Sequence, residues 1–351
     1  MLASVSTVKD TLANVERFVA RNLGRGIDHM VVFLDADQPD VLAHLTGHPQ
    51  VTVVEAADDR WWAGARPDGL NRRQHVNANV VKALLTRAEW AEWVFHIDSD
   101  EVVHLDRDRL EQLPADTGIV HLAPLELVSR DDEGAAPTLY KRLLEDDELV
   151  LLKALGVLDR AANEEYFHGH VGGKSGMRPS LDAYSGIHKP TDDQRQTLPG
   201  GLSAPWLAVL HLESPSRAGF VRKWRNLLSS GPRPKVRRAR TDMVTAIDTL
   251  INLDLPPDEV DALLGDLYER HVRDDVALLD RVGFLERVDP DAATYPAREV
   301  PSEHVDALRD ALGRVAGQDK SAYRSGPPGQ VEALLDEALG RRRSGWLGRR
   351  R

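Results

Sequence analysis

The chain has 351 residues, of which 42% are hydrophobic and 29% are charged, and its 45 basic and 56 acidic side chains give a formal net charge of −11. This composition supports a packed core and argues against wholesale disorder, while the acidic balance argues against a nucleic-acid partner. The chain contains no cysteine, which excludes disulfides, thiolate metal ligands and a cysteine nucleophile.

The sequence predicts neither export nor a membrane-spanning helix. The first ten residues lack the basic flank and apolar block of a secretory signal. The longest apolar stretch, residues 149–158, is interrupted by Lys153 and Gly156 and is shorter than the roughly 20 residues that a spanning helix needs. We therefore expect a cytoplasmic protein.

The first third of the chain alternates predicted strands and helices. Apolar runs and helical spacing predict strands at residues 2–8, 29–34, 51–54 and 93–97, and helices at about 12–23 and 72–87. The near-continuous apolar strands are typical of a parallel sheet that is covered on both faces. The alternation predicts an α/β sheet with right-handed crossovers, and ligands bind such sheets at the carboxyl ends of the strands.

The pattern changes beyond the strand predicted at residues 118–122. Residues 163–205 are rich in Gly, His, Ser and Pro, which favours a long functional loop region. Helical spacing then returns over residues 217–339 and predicts a helical C-terminal section.

Two basic segments stand apart from this organisation, a cluster within residues 233–240 and the tail at 341–351. The tail carries six arginines around Trp346 and Leu347. One interpretation is a solvated, disordered tail. The other is peripheral contact with anionic lipid at the inner face of the membrane, with Trp346 as an interfacial anchor.

Acidic residues follow the predicted strand at 93–97 directly, as Asp98-Ser99-Asp100-Glu101. On extended backbone, two acids at positions i and i+2 face the same way and repel each other. A hard divalent cation such as Mg²⁺ or Mn²⁺ relieves that repulsion and prefers carboxylate oxygen. The structural alternative is a solvated acidic turn.

Several segments, taken in chain order, resemble those of family 2-like glycosyltransferases of the GT-A fold. The run from Glu92 to Glu101 is similar to the family's Asp-x-Asp-Glu segment, and Gly26 to Asp40 is similar to its second strand and acidic loop. The further matching segments are Arg73-Gln74, Gly173-Lys-Ser-Gly-Met-Arg-Pro179, Gly186-Ile-His188 and Val209-Leu-His211. The resemblance covers about residues 2–225.

The resemblance implies a GT-A-like nucleotide-sugar-binding domain, which is a Rossmann-like mixed sheet flanked by helices, with a helical C-terminal extension. The corresponding division of the chain is a catalytic domain at 1–225, a helical extension at 226–340 and a basic tail at 341–351. The implied activity is divalent-metal-dependent transfer of a sugar from a nucleotide-diphosphate sugar, a UDP-sugar being one candidate, to a glycan or other hydroxyl acceptor.

The same resemblance assigns roles to individual residues. Asp98 and Asp100 are the expected ligands of Mn²⁺ or Mg²⁺, with His211 as a further ligand, and the alternative for His211 is a hydrogen-bonded histidine at a strand end. Asp98, Asp100 and Glu101 are the expected catalytic residues. The expected contacts of the nucleotide sugar are Asp35, Asp37, Arg73, Gln74, Asn77, Lys174, Arg178 and His188.

Other interpretations stay open at this level. The helix face with Arg73, Gln74 and Asn77 is also explained as an exposed polar face, and the tryptophans Trp61 and Trp62 fit either a ligand platform or the core. The candidates for a general base are Glu101, Glu164, Glu165 and Asp182. A nucleotidyltransferase also uses paired acids, but its glycine-rich phosphate loop is missing from residues 8–12. A binding module without catalysis is the third possibility.

Overall fold

The computed structural model describes residues 1–130, 136–229, 241–296, 298–325 and 329–339. The basic cluster at 233–240 and the tail at 341–351 lie outside the described residues, and so do the predictions made for them. Within the described ranges, no helix is both long enough and apolar enough to span a membrane.

The elements of the first half run in the order β1 (Leu2–Val8), α1 (Leu12–Gly24), β2 (His29–Leu34), α2 (Pro39–Leu45), β3 (Val51–Glu55), α3 (Leu70–Ala88), β4 (Trp93–His96), β5 (Glu101–Leu105), α4 (Arg107–Glu111), β6 (Ile119–Leu127), β7 (Leu139–Lys141), α5 (Asp146–Ala154) and α6 (Asn163–Tyr166). The second half continues with β8 (Lys174–Met177), β9 (Leu202–His211), α7 (Arg217–Ser229), α8 (Thr241–Ile251), α9 (Pro257–His271), α10 (Val276–Arg281), β10 (Leu285–Arg287), α11 (Ser302–Val315), a 3-10 turn (Ser321–Tyr323) and α12 (Gln330–Ala338).

These elements form two compact units. The first contains the described parts of Met1–Leu122, Gly173–Ala208 and Asp291–Arg351, and the second those of Ala123–Gly172 and Val209–Pro290. The compact units therefore divide the chain differently from the predicted boundary at residue 225, which falls inside α7. Helical spacing indicated that the C-terminal segment is helical but could not indicate which part of the chain it packs against.

The first unit is built on a mixed sheet flanked by helices, as the sequence predicts. Parallel strands lie in the order β3-β2-β1-β4, and β8 pairs antiparallel with β4 on one side and with Ile119–Leu122 of β6 on the other. All residues of β1 and β2 are buried, which accounts for their continuous apolar runs. The order 3-2-1-4 is that of a Rossmann-like half-sheet.

Helix α3 covers one face of this sheet with an apolar stripe formed by Val76, Val80 and Leu84. The C-terminal helices complete the same core, because Leu308 and Leu312 of α11 and Leu335 of α12 belong to it. Their burial explains why the chain after residue 291 belongs to the first unit.

The predicted loop region at 163–205 contains a central strand, β8, and this part of the prediction is wrong. The sequence Lys-Ser-Gly-Met carries neither apolar alternation nor β-branched residues. Tertiary packing explains the glycine at position 176, because a Cβ there would lie 2.2 Å from a ring carbon of Phe95. The strand forms because β4 and β6 both pair with it.

The second unit combines a small sheet with helices. Within it, Glu126 and Leu127 of β6 pair antiparallel with β7, which pairs antiparallel with β10. Helices α7, α8 and α9 share one apolar core that includes Phe220, Ile247 and Tyr268. A second core in this unit contains Leu152, Phe167 and Phe284.

Candidate functional site

The acidic turn after β4 lies at the carboxyl edge of the parallel sheet in the first unit. Val5 of β1 is aligned with His96 of β4, and the N–H of Ile97 donates to the carbonyl of Val5 at 3.1 Å. The chain therefore leaves the sheet at Asp98, beside the carboxyl end of β1. Strand β1 has β2 on one side and β4 on the other, so this point is the topological switch at which open α/β sheets bind ligands.

Both carboxylate oxygens of Asp98 have partners. Gln74 of α3 donates from Nε2 to Oδ1 at 2.6 Å, and Lys174 of β8 donates from Nζ to Oδ2 at 2.6 Å. The Asp98 side chain is 25% exposed, so it still reaches the surface. Three segments that are distant in sequence thus meet at one carboxylate, and the predicted residues Gln74, Lys174 and Asp98 are brought together.

Glu101 points inward from the same turn. Its carboxylate is fully buried, accepts the N–H of Asp98 at 2.9 Å and lies 3.2 Å from Lys174 Nζ. Burial works against the charge of Lys174, but Asp98 and Glu101 together raise the pKa of this lysine above its usual range. Asp100 is half-buried at the tip of the turn. These contacts of the Glu101 carboxylate hold the turn together. The catalytic role of Glu101 stays a prediction.

A second charged group follows β2. Arg73 donates to both carboxylate oxygens of Asp35, at 2.7 Å and 2.6 Å, and Arg66 lies 2.7 Å from Oδ1. Asp35 and Arg73 are both buried. These two residues, each predicted to contact a nucleotide, are therefore paired with one another, and their contact with a nucleotide stays a prediction.

Asn77 links α3 to the end of β1. Its Nδ2 donates to Thr7 Oγ1 at 3.0 Å, and its Oδ1 accepts from Trp61 Nε1 at 2.9 Å. Trp61 and Trp62 are 1% and 4% exposed and belong to the core of the first unit. Of the two interpretations open for these rings, the structure places them in the core, where Trp61 also packs on Phe33.

The remaining cationic residues of the predicted set take different positions. His188 is half-buried, and its Nδ1 lies 2.9 Å from the carbonyl of Gly173, directly before Lys174.

Arg178 donates to the carbonyls of Thr117 and Leu113 and stands 4.7 Å from the Trp93 ring centroid. These contacts make Arg178 part of the packing around β8, and its contact with a diphosphate stays a prediction. The predicted nucleotide contact Asp37 is exposed after β2.

In the second unit, His211 ends β9 inside a buried ionic network. Its Nε2 lies 3.3 Å from Glu213 Oε2, its Nδ1 lies 4.0 Å from Glu126 Oε2, and its ring stacks on that of His170 at 4.7 Å. The role of His211 as a metal ligand stays a prediction.

Glu126 organises this network. It is fully buried, accepts the N–H groups of His168 and Gly169, and lies 3.0 Å from Nζ of Lys141. Burial acts to raise the pKa of Glu126, but the positive charges of Lys141 and the neighbouring histidines hold that pKa below its usual value. Lys141 also contacts Asp274 at 3.0 Å, and the same ammonium helps to lower the pKa of Asp274 to about 2 against its burial.

The other candidates for a general base are dispersed. Glu165 is paired with Arg160 and Glu164 is exposed, both in the second unit. Asp182 is exposed in the first unit, near Lys82. The choice among the candidates stays open.

Comparisons with known proteins give little support for any family. No family model matches the chain, and no curated protein matches it. Among solved structures, the chain is similar to the crystal structure of mannose-1-phosphate geranyltransferase from Thermus thermophilus, with 13% identity and a TM-score of 0.24 over 77% of this chain and 70% of that chain. A similarity at this TM-score transfers neither activity nor residue roles.

Several residues that shape these sites carry no recognisable signal in the sequence. Arg66, which contacts Asp35, lies in a Gly/Pro loop without periodicity. Thr7 is an ordinary strand residue, and its contact with Asn77 joins positions 70 residues apart. In the second unit, the N–H groups of His168 and Gly169 both donate to Glu126. The alternating pattern of the strand that carries Glu126 does not indicate this contact.

Proposed function

We propose that this chain transfers a sugar from a nucleoside-diphosphate sugar to a hydroxyl acceptor, and that it requires a divalent cation. The proposal rests on one observation, the acidic turn Asp98 to Glu101 at the switch point between β1 and β4. Open α/β sheets bind nucleotides at such a switch point, and the turn supplies the oxygen ligands that Mn²⁺ and Mg²⁺ prefer. The resemblance to family 2-like glycosyltransferases supports the same activity.

The residues of the turn fit a hard cation in unequal ways. Both oxygens of Asp98 already accept hydrogen bonds, so Asp98 fits a ligand that acts through water or that orients the site. Asp100, half-buried at the tip, fits the direct ligand. A cation bound there would neutralise the charge that develops on the departing diphosphate.

The chain's own residues would position the reactants around this turn. Gln74 and Lys174 fix the carboxylate of Asp98, and Asn77 fixes the end of β1 through Thr7. Since α3 supplies both Gln74 and Asn77, one helix orients both the acidic turn and the end of β1. An acceptor hydroxyl would need a general base, for which Glu101, Glu164, Glu165 and Asp182 are the candidates.

Nucleotidyl transfer is the alternative activity. In place of a glycine-rich phosphate loop after β1, Asp10 accepts the N–H of Thr11 and the side-chain amide of Asn14, both at 2.7 Å. A carboxylate in this position occupies a donor that a phosphate loop would offer and repels phosphate.

The test is turnover of a panel of nucleotide sugars with Mn²⁺, Mg²⁺ or EDTA, measured as nucleoside diphosphate released in the presence of mixed acceptors. We expect cation-dependent turnover, and we expect Asp100→Asn to lower it by at least about 100-fold, the scale of losing one key electrostatic group. The matched control is Asp116→Asn, an exposed acid in a turn, which should leave turnover unchanged.

The same assay, extended to nucleoside triphosphates with sugar phosphates and to release of pyrophosphate, separates the alternatives. Turnover that persists in EDTA would contradict the metal requirement. Release of pyrophosphate from a nucleoside triphosphate and a sugar phosphate would instead establish nucleotidyl transfer.

A further inference from the structure

The role predicted for Lys174 from the sequence, contact with the donor diphosphate, does not agree with where its ammonium lies. Lys174 begins β8, and its side chain is fully buried. Nζ is 2.6 Å from Asp98 Oδ2 and 3.2 Å from Glu101 Oε2. The ammonium therefore sits between two carboxylates of the same turn.

The surroundings require a cation at this position. The carboxylate of Glu101 is fully buried, and an unpaired charge at such a site costs several kcal/mol. A second carboxylate, Asp98, lies on the same ammonium and adds repulsion. Without Lys174 the turn would lose the ammonium that lies between its two acids, one of which is buried.

The backbone also holds Lys174 in this position. Its strand lies between β4 and β6, and Gly176 allows β8 to approach Phe95 so closely that a Cβ would not fit. To contact a diphosphate, the ammonium would have to leave both carboxylates and move out of its buried site.

We propose that Lys174 is a positioning residue: an internal counter-ion that fixes Asp98 and Glu101 in the turn and does not bind the donor diphosphate. Its importance for catalysis rests on the proposed function, whereas its pairing with Glu101 can be measured in the folded protein whatever the reaction is.

The first experiment is a double-mutant cycle in thermal unfolding. Lys174→Met removes the charge at similar length, Glu101→Gln removes the buried carboxylate, and a double variant removes both. We expect Lys174→Met to lower Tm by roughly 10 °C, as for one partner of a buried ion pair, and the double variant to recover at least about half of that loss. Lys153→Met, at an exposed lysine of α5, should leave Tm unchanged.

The second experiment is calorimetric titration of the same variants with UDP and Mn²⁺. We expect Lys174→Met to weaken binding by about tenfold, because Asp98 is misplaced, and Glu101→Gln to restore it to within about threefold in the double variant. A lysine that binds the diphosphate itself cannot be replaced by a change at residue 101, so equally weak binding by the single and double variants would overturn the proposal.

The two arms keep the proposals separable. If the wild-type chain binds no UDP, a UDP-sugar is rejected as the donor, while the thermal cycle still tests the counter-ion. Strictly additive losses of Tm in the cycle would show that Lys174 and Glu101 are not coupled and would reject the counter-ion.

Discussion

Gly176 is the residue on which the approach of β8 to β4 depends. It is aligned with Phe95, and a Cβ built on it would lie 2.2 Å from one ring carbon and 2.7 Å from another. Lys174 lies two residues earlier on the same strand, so the spacing of the two strands also sets the distance between Lys174 and Asp98.

We therefore expect Gly176→Ala to destabilise the protein by about 1–3 kcal/mol, because the added methyl overpacks a buried contact. Urea unfolding at equilibrium measures this. The control is Gly313→Ala in α11, where a Cβ meets nothing within 4 Å and the substitution should be neutral or should stabilise by about 0.5–1 kcal/mol. Equal effects of the two changes would show that the space beside Phe95 is not restrictive.

The contacts of single residues were the least predictable part of the candidate site. Asp98 could be selected as an acid that directly follows a strand, and Gln74 and Lys174 could be selected through the resemblance to family 2-like glycosyltransferases. Their pairing could not, because Lys174 and Asp98 are 76 positions apart and their contact depends on β8 pairing with β4. Arg178 is a further example, because its closeness to Lys174 in the sequence gave no indication that it contacts Trp93.

At the level of elements, the predictions were most accurate for strands and helices whose own hydrophobic pattern indicates their burial. The apolar runs of β1, β2 and β4 and the stripe of α3 gave bounds within a few residues of those observed. Strand β8 was missed because its four residues carry no pattern and its neighbours determine it. The C-terminal helices were expected as helices, but their packing on α3 was not.

The C-terminal segment is attached to the core of the first unit by a buried lysine. Lys320 donates from Nζ to the carbonyls of Trp61, Val315 and Gln318, and it stands 4.2 Å from the centroid of the Trp61 ring. Val315 ends α11, so the ammonium joins a helix terminus to the loop that carries Trp61. Through Asn77, that loop reaches the end of β1.

Replacing this lysine should loosen the segment. We expect Lys320→Met to destabilise the protein by about 1–3 kcal/mol, because it leaves buried carbonyl groups without donors. We also expect amide hydrogen exchange to increase in α11 and at Trp61 before it increases in β10. Lys189→Met, at an exposed lysine, is the control and should change neither quantity. Unchanged exchange in α11 of Lys320→Met would show that apolar packing alone holds the segment.

For the molecule as a whole, a buried neutral histidine makes stability depend on pH. His29 is fully buried in β2, its Nε2 lies 2.8 Å from Thr52 Oγ1, and its ring packs edge-on against Trp90. Burial lowers the pKa of His29 to about 4, and the positive charge of Arg309 and the nearby His48 act in the same direction. The folded chain therefore resists protonation of His29 more strongly than the unfolded chain does.

The direction of the pH dependence of stability follows from this difference between the folded and unfolded chains. Above about pH 6.5 the ring is neutral in both states and its burial has no proton cost, whereas between about pH 6.5 and pH 4 only the unfolded state takes up the proton. We expect His29 to account for a loss of about 2 kcal/mol of unfolding free energy between about pH 7.5 and pH 5. Urea unfolding of the wild type and of His29→Gln at both pH values measures this contribution. It equals the wild-type loss of unfolding free energy minus the loss in the variant. His271→Gln, at an exposed position, should keep the wild-type loss, and an equal loss in His29→Gln and wild type would assign the acid sensitivity of the fold to other groups.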